Sequence, residues 1–112
     1  MEVYSEGEKA KNHKPIIECP DSVKAGEEFE VRVYVSGHPN KVEHSIRWIE
    51  VYFEEDGRDF NPIMLSRSAF SEYVNPNVTL KVKLNRSGKI IALAYCNKHG
   101  LWENKREISV TE

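Results

Sequence analysis

The feature that most constrains the fold of this chain is a series of short segments in which apolar and polar residues alternate. Alternation with a period of two is typical of a β-strand that buries one face. It is clearest at 29–35 (FEVRVYV) and recurs at 78–84 (VTLKVKL). Turn residues separate such segments about every 8–12 residues. The pattern predicts an all-β protein, an antiparallel β-sandwich of about seven strands.

The remaining segments fit the same architecture. Residues 90–95 are almost entirely apolar, as expected of a central strand with both faces covered. Pro62 would place a weaker strand at a sheet edge, and 65–73 fits either a short helix or a loop. Gly88 ends a predicted hairpin loop, in which it would take a positive φ. Further strands are predicted at 45–54, 60–65 and 106–110.

Length and charge limit the possible functions. The chain has 112 residues, which predicts a single domain over 1–112. Sixteen Lys and Arg against eighteen Asp and Glu give a net charge of −2, which argues against nucleic-acid binding. No apolar run approaches the roughly 20 residues that span a bilayer, and no secretory signal is visible, so we expect a cytoplasmic protein. Residues 1–12 are polar and predicted to form a flexible arm.

One thiol and four imidazoles are the candidate metal ligands. Cys96 and His99 are two residues apart, a spacing with which a tight turn can chelate one metal. Alone this spacing is weak, because a buried thiol beside an exposed histidine gives the same pattern. The other histidines lie in or beside predicted turns, and the loops of a sandwich cluster at its ends. Structural zinc takes four ligands and blue copper two His and one Cys, so five N and S ligands suit iron with an open sixth position. The histidines are His13, His38, His44 and His99.

Two segments of the sequence resemble the superoxide reductases of the desulfoferrodoxin family. Residues 37–49 (GHPNKVEHSIRWI) look like that family's H-P-N-x-x-E-H-x-I-R segment, and 95–103 (YCNKHGLWE) look like its Y-C-N-x-H-G-L-W-E segment. Residues 13–18 (HKPIIE) are similar to its H-V-P-x-I-E. The chain has no cysteines for the four-cysteine iron module of the two-iron members, so it resembles the one-iron neelaredoxin type.

The resemblance implies an immunoglobulin-like β-sandwich and an antioxidant oxidoreductase that reduces superoxide to hydrogen peroxide. It implies a mononuclear non-haem iron, cycling between Fe²⁺ and Fe³⁺, and a homo-oligomer, since one-iron members are often homotetramers. A rubredoxin-like electron donor is also implied. Backbone N–H groups of Asn97, Lys98 and His99 are candidates to hydrogen-bond the axial sulfur. Carried over by motif, the ligands would be His13, His38, His44 and His99 in equatorial positions and Cys96 in the axial position.

The chain departs from the family pattern in its arm. Family members commonly read E-K-H-V-P, with a Lys that attracts superoxide and a Glu able to occupy the sixth position of oxidised iron. Here Glu8 and Lys9 resemble that pair, but the insertion 10–12 separates them from His13. Three extended residues span roughly 10 Å, so both side chains reach the site only if the arm loops back. Lys11, Lys14 and Lys98 are alternative sources of positive charge, and a solvated arm fits equally well.

Two other functions stay open from the sequence. The first is a non-catalytic iron electron carrier or metal-binding module of the same fold, which its slow reaction with superoxide would reveal. The second is a metal-free immunoglobulin-like interaction domain, which metal analysis would separate from both. Cys19 is expected to be a buried structural thiol.

Overall fold

The computed structural model describes residues 1–112 and confirms the predicted all-β sandwich. It contains nine strands where about seven were predicted, because the strands Val3–Tyr4 and Ser22–Lys24 are too short to show alternation in the sequence. Its one helix, α1, has four residues, far too few to cross a bilayer. In chain order the elements are β1 (Val3–Tyr4), α1 (Ala10–His13), β2 (Ile16–Glu18), β3 (Ser22–Lys24), β4 (Phe29–Tyr34), β5 (Ile46–Glu55), β6 (Ile63–Ala69), β7 (Asn77–Val82), β8 (Gly88–Cys96) and β9 (Gly100–Thr111).

Two sheets form the sandwich. The larger one has six strands in the order β1-β9-β8-β5-β6, with β3 also paired to β9. The smaller one has the order β2-β4-β7. β8 is antiparallel to both β5 and β9, which confirms that 90–95 lies in a central strand. β1 and β3 both run parallel to β9, so two short pairs depart from the expected antiparallel pattern.

The core lies between the two sheets and follows the alternation seen in the sequence. Phe29, Val31 and Val33 of β4 are buried, whereas the intervening residues are exposed or half-buried. They belong to one cluster of 17 buried residues drawn from both sheets. Cys96 is fully buried at the end of β8 and belongs to this cluster, so its thiol is held by the core itself. Cys19 is half-buried and packs against the same cluster, and both thiols are free.

The structure corrects the expectation for Gly88. β7 pairs with β4 and β8 pairs with β5, so the residues between β7 and β8 cross from one sheet to the other and do not form a hairpin. Gly88 is the first residue of β8 and does not take a positive φ. A Cβ atom there would collide with the Glu54 carbonyl oxygen and lie 2.9 Å from the Phe53 ring. Glycine is therefore needed for close approach of the backbones.

Several predicted strand limits also change. The edge strand begins after Pro62 and runs as β6 to Ala69, so most of the segment that fitted either helix or loop is strand. The last strand begins at Gly100 and is more than twice as long as predicted, because residues 100–108 of β9 pair with the whole of β8. Its long edge is what the short strands β1 and β3 pair with.

The segment expected to be a flexible arm has regular structure along part of its length. Val3 and Tyr4 pair with Leu101 and Trp102 of β9. The Tyr4 ring also packs on the Trp102 indole, with 5.4 Å between ring centroids. The arm is therefore attached to the large sheet before it turns into α1.

Candidate metal centre

All five predicted ligands lie together at one end of the sandwich, although they come from four separate segments. His13 is the last residue of α1, and Cys96 is the last residue of β8. His38 and His44 lie in the loop between β4 and β5, and His99 lies in the turn between β8 and β9. Because both connections leave the sheets at the same end, the fold brings distant parts of the sequence to one place.

The candidate ligand atoms face one shared space. Those of His13, His44, Cys96 and His99 all lie within 4.8 Å of one another. The fourth imidazole, His38, brings its Nε2 to 3.2 Å from His13 Nε2. His99 Nδ1 is also 3.2 Å from His13 Nε2. Candidate ligand atoms that lie this close together are expected where they bind one metal ion.

Hydrogen bonds fix the tautomers of two of these rings. His13 Nδ1 lies 2.9 Å from the Lys9 carbonyl oxygen and 2.7 Å from Asn12 Oδ1. His38 Nδ1 lies 2.7 Å from the Pro39 carbonyl oxygen. Since these oxygens only accept, each Nδ1 carries the proton and each Nε2 presents a lone pair. Two lone pairs facing each other at 3.2 Å repel unless a cation satisfies both, which fits a bound metal ion.

His44 supplies a second observation in favour of a metal. Its Nε2 is buried and has no hydrogen-bond partner. A buried polar atom left unpaired destabilises a protein by about 1–3 kcal/mol, so native structures rarely contain one without a reason. Metal ligation would satisfy this nitrogen.

The Cys96 sulfur has one of the three hydrogen bonds expected for it. The His99 N–H donates to Cys96 Sγ at 3.3 Å. The expectation was wrong for Asn97, whose N–H donates instead to the Ser45 carbonyl at 3.2 Å. The Lys98 N–H makes no bond to the sulfur. A single backbone donor is therefore available to stabilise the negative charge that the sulfur would carry when it binds a metal.

The imidazoles are held in their metal-binding form. Burial lowers the pKa of all four, and the pKa of His38 falls from 6.5 to about 4. The nearby positive charge of Lys9 further lowers the pKa of His13, His44 and His99. Neutral imidazole is the form that ligates metals, so the rings need not lose a proton at neutral pH before they bind one.

The insertion in the arm does not carry Lys9 away from this site. Residues 10–13 form the helical turn α1, which rises about 1.5 Å per residue, less than half the rise of an extended chain. The Lys9 carbonyl accordingly contacts the His13 ring. Glu8, Lys9 and Lys98 line a cavity of about 660 Å³ that opens beside His99. Lys11 is exposed on α1, and neither it nor Lys14 lines this cavity.

Two residues around the ligands make hydrogen bonds that the sequence did not predict. The Asn12 side chain accepts a hydrogen bond from His13, and the Trp102 indole donates to the His99 carbonyl at 3.1 Å. The Trp102 ring also packs against His13, with 5.3 Å between centroids. No local pattern distinguishes these contacts from ordinary packing, since they depend on how the arm crosses β9.

The fold and the site together define a β-sandwich metalloprotein with a mixed imidazole and thiolate centre. The family model described as desulfoferrodoxin matches residues 5–105. The chain is 38% identical to the superoxide reductase of Pyrococcus horikoshii, over 89% of this chain and 90% of that one. It is 36% identical to the neelaredoxin of Megalodesulfovibrio gigas, over 91% and 90%. The chain belongs to the desulfoferrodoxin family.

A solved structure gives the same result. Superoxide reductase (neelaredoxin) from Ignicoccus hospitalis superimposes with a TM-score of 0.88 and 56% sequence identity. The match covers 92% of this chain and 85% of that one. The likeness thus extends over both sheets and the metal end of the sandwich.

Proposed function

We propose that this chain is a superoxide reductase, which converts superoxide, one electron and two protons to hydrogen peroxide. The observation that carries the proposal is the convergence of four imidazoles and one thiol on one space at the end of the sandwich. The similarity to proteins named superoxide reductase supports it. The proposed iron ligands are His13, His38, His44, His99 and Cys96.

The donor set fits a mononuclear non-haem iron. Five N and S donors are one more than structural zinc takes and leave a sixth position for a small molecule. Iron held there would supply the electron as Fe²⁺ is oxidised to Fe³⁺, and the donor protein would return it to Fe²⁺. Because the imidazoles are neutral and the thiolate carries one negative charge, the ferrous centre keeps a charge of about +1, which attracts an anion.

Cys96 and its surroundings set the electron richness of the centre. A thiolate ligand pushes electron density towards the metal, as in thiolate-ligated haem enzymes. The hydrogen bond from the His99 N–H withdraws part of that density. Because Cys96 is fully buried, water does not hydrogen-bond to its sulfur and so does not withdraw further electron density.

Lys9 and Lys98 provide the positive charge that guides superoxide to the centre. Both line the cavity beside His99, whereas the whole chain carries a net charge of −2. The lining also contains the carboxylates of Glu6 and Glu8. The lysines are nonetheless the lining charges that act on the imidazoles, since both lower the pKa of His44 and His99, and cations placed there attract a small anion to the ligands. Lys11 is a weaker candidate for guiding superoxide, because it does not line the cavity. Glu8 lines the same cavity, so its carboxylate would be the candidate to bind the metal when it is oxidised.

Repeated turnover requires a one-electron donor, for which we propose a rubredoxin-like protein. We further propose that residues 1–112 act as a single iron-binding domain, since both sheets share one core. A cytoplasmic location fits two free thiols, which reducing compartments maintain. By analogy with one-iron family members, we propose assembly into a homo-oligomer, with a tetramer as the first form to test.

Anaerobic metal analysis and a visible spectrum test the centre first. We expect one iron per chain and a thiolate-to-Fe³⁺ charge-transfer band that Cys96→Ser removes. Zinc alone, no metal, or a spectrum indifferent to Cys96 would show that the ligand assignment is wrong.

Product stoichiometry then tests the activity. A reductase forms one hydrogen peroxide for each superoxide consumed and oxidises one donor equivalent. A dismutase forms half as much peroxide and releases oxygen. A loaded centre that exchanges electrons with a donor but consumes superoxide slowly would support an electron carrier instead.

A further inference from the structure

We infer that Asn97 is a positioning residue of the metal centre. It lies between Cys96 and His99, and its side chain hydrogen-bonds the loop that carries His38 and His44. The inference rests on the proposed metal centre and concerns what holds one of its ligands in place. We call residues 38–45 the histidine loop.

Both halves of the Asn97 carboxamide are used in this connection. Its Oδ1 accepts from the Ser45 N–H at 3.0 Å, and its Nδ2 donates to the Val42 carbonyl at 3.0 Å. The Asn97 N–H also donates to the Ser45 carbonyl at 3.2 Å. These partners lie two residues before His44 and one residue after it. Asn97 therefore holds the backbone on both sides of this ligand.

His44 depends on its backbone more than the other histidines of the arm and the histidine loop do. The rings of His13 and His38 are each oriented by a hydrogen bond from Nδ1. The ring of His44 has no such bond, and its Nε2 is buried without a partner. The position of the His44 nitrogen therefore follows the position of the histidine loop.

The internal bonds of the histidine loop do not attach it to the sandwich. Lys41 and His44 exchange two backbone hydrogen bonds of 2.9 and 3.0 Å, which close a tight turn within the loop. Such a turn can move as a unit. The hydrogen bonds that join the loop to other parts of the molecule come from Asn97 and from Arg47.

Arg47 provides the second attachment and shares an acceptor with Asn97. Its guanidinium donates to the Val42 carbonyl at 2.6 Å and also contacts Glu72 at 3.4 Å. One carbonyl thus receives a donor from β5 and a donor from the turn after β8. We expect the effects of removing the two donors to be coupled, since each limits the movement that the other permits.

Cobalt(II) binding to the full-length chain tests the inference without reliance on activity. Asn97→Ala removes both side-chain bonds, and Asn97→Asp keeps the acceptor for Ser45 but places a carboxylate against the Val42 carbonyl. We expect each variant to bind Co²⁺ about 10- to 100-fold more weakly, as for other residues that orient ligands. The Co²⁺ ligand-field bands should also shift, because one nitrogen donor is displaced.

Matched controls separate positioning from general stability. Asn77→Ala removes an asparagine of β7 whose side chain bonds only Arg32, at 3.3 Å, and should leave Co²⁺ affinity and bands unchanged. Glu72→Gln keeps the Arg47 bond to Val42 and should behave in the same way. Arg47→Gln should weaken Co²⁺ binding. In the double variant with Asn97→Ala, the loss of binding free energy should differ from the sum of the two single losses.

The outcomes are distinguishable. If the wild-type chain fails to bind Co²⁺ through Cys96, the proposed metal centre itself is wrong. If the wild type binds but Asn97→Ala binds equally well with the same bands, the positioning role is refuted. If Asn97→Ala does not fold, as judged by circular dichroism, the affinities of Asn97→Asp and Arg47→Gln decide: unchanged binding in both refutes the role, and weaker binding with shifted bands supports it.

Discussion

The metal-free chain should lose stability in mild acid, and His38 should account for a defined share of that loss. Burial is the main reason why the pKa of His38 falls from 6.5 to about 4, with smaller contributions from like charges on neighbouring imidazoles. The hydrogen bond to the Pro39 carbonyl acts in the opposite direction but does not cancel the effect.

The sign follows from which state takes up the proton. Above pH 6.5 the ring is neutral in both the folded and the unfolded chain, so it adds no pH dependence. Between pH 6.5 and about 4 only the unfolded chain binds the proton, and the free energy of unfolding falls as the pH falls. Below pH 4 both states are protonated and the loss is complete.

The size of the effect follows from the same shift. An interval of about 2.5 pH units at about 1.36 kcal/mol per unit sets an upper limit of about 3 kcal/mol on the loss, and solvent screening of this half-buried ring reduces it. Between pH 7 and pH 5 only the part below 6.5 counts, which is about 2 kcal/mol at most. Domains of this kind are stable by about 5–15 kcal/mol, so the change is readily measured.

Urea unfolding of the chelator-treated chain at pH 7 and pH 5 measures it. His38→Gln replaces the ring with a neutral side chain and should reduce the pH-dependent loss by up to about 2 kcal/mol relative to wild type. Asn40→Gln changes an exposed residue of the same loop without removing a titratable group, and should match wild type. If His38→Gln loses as much stability as wild type, the argument from burial is wrong.

Three further predictions follow from the structure. Lys9→Ala and Lys98→Ala should each lower the second-order rate with superoxide, by up to about tenfold at low salt, and weaken its salt dependence, whereas Lys11→Ala should leave stopped-flow rates unchanged. Gly88→Ala should reduce the free energy of unfolding by about 3 kcal/mol or more, measured by urea titration, because the new methyl group meets backbone. Removing the metal should lower the melting temperature in calorimetry, since a ligand at about 1,000 times its Kd stabilises by about 4 kcal/mol.

The strands that could be predicted are those with enough residues to show a period. β4 has six residues, and its buried positions alternate as the apolar residues of its sequence do. β8 has nine residues, and its uninterrupted apolar run indicates a central strand. β1 and β3 have two and three residues, which is too short for any alternation. They form because β9 presents a long edge, and that is a property of the assembled sheet. Gly88 was misassigned for a related reason, since its close neighbour Glu54 lies on another strand.

The ligands could be predicted because each lies in a short motif, but the contacts that hold them could not. The spacing of Cys96 and His99 is visible in the sequence, whereas the bonds from Asn97 to Val42 and Ser45 span more than fifty residues. The turn α1 has only four residues, so it shows no helical period. It is closed by the Lys14 N–H bond to the Ala10 carbonyl and by the bond from the His13 ring to the Lys9 carbonyl, and the second bond requires His13 to face the other ligands.

The arm is therefore attached to the sandwich at two points, and both lie beside the metal centre. At one point Tyr4 packs on Trp102, whose indole holds the His99 carbonyl. At the other, His13 is itself a proposed ligand. The residues between these points carry Glu8 and Lys9 along the wall of the cavity. A metal that binds His13 must then favour the attached arm, and by reciprocity the attached arm must favour the metal. The departure of this sequence from the family's usual spacing consequently need not separate the charged residues from the centre, because the extra residues are taken up in one turn between two fixed points.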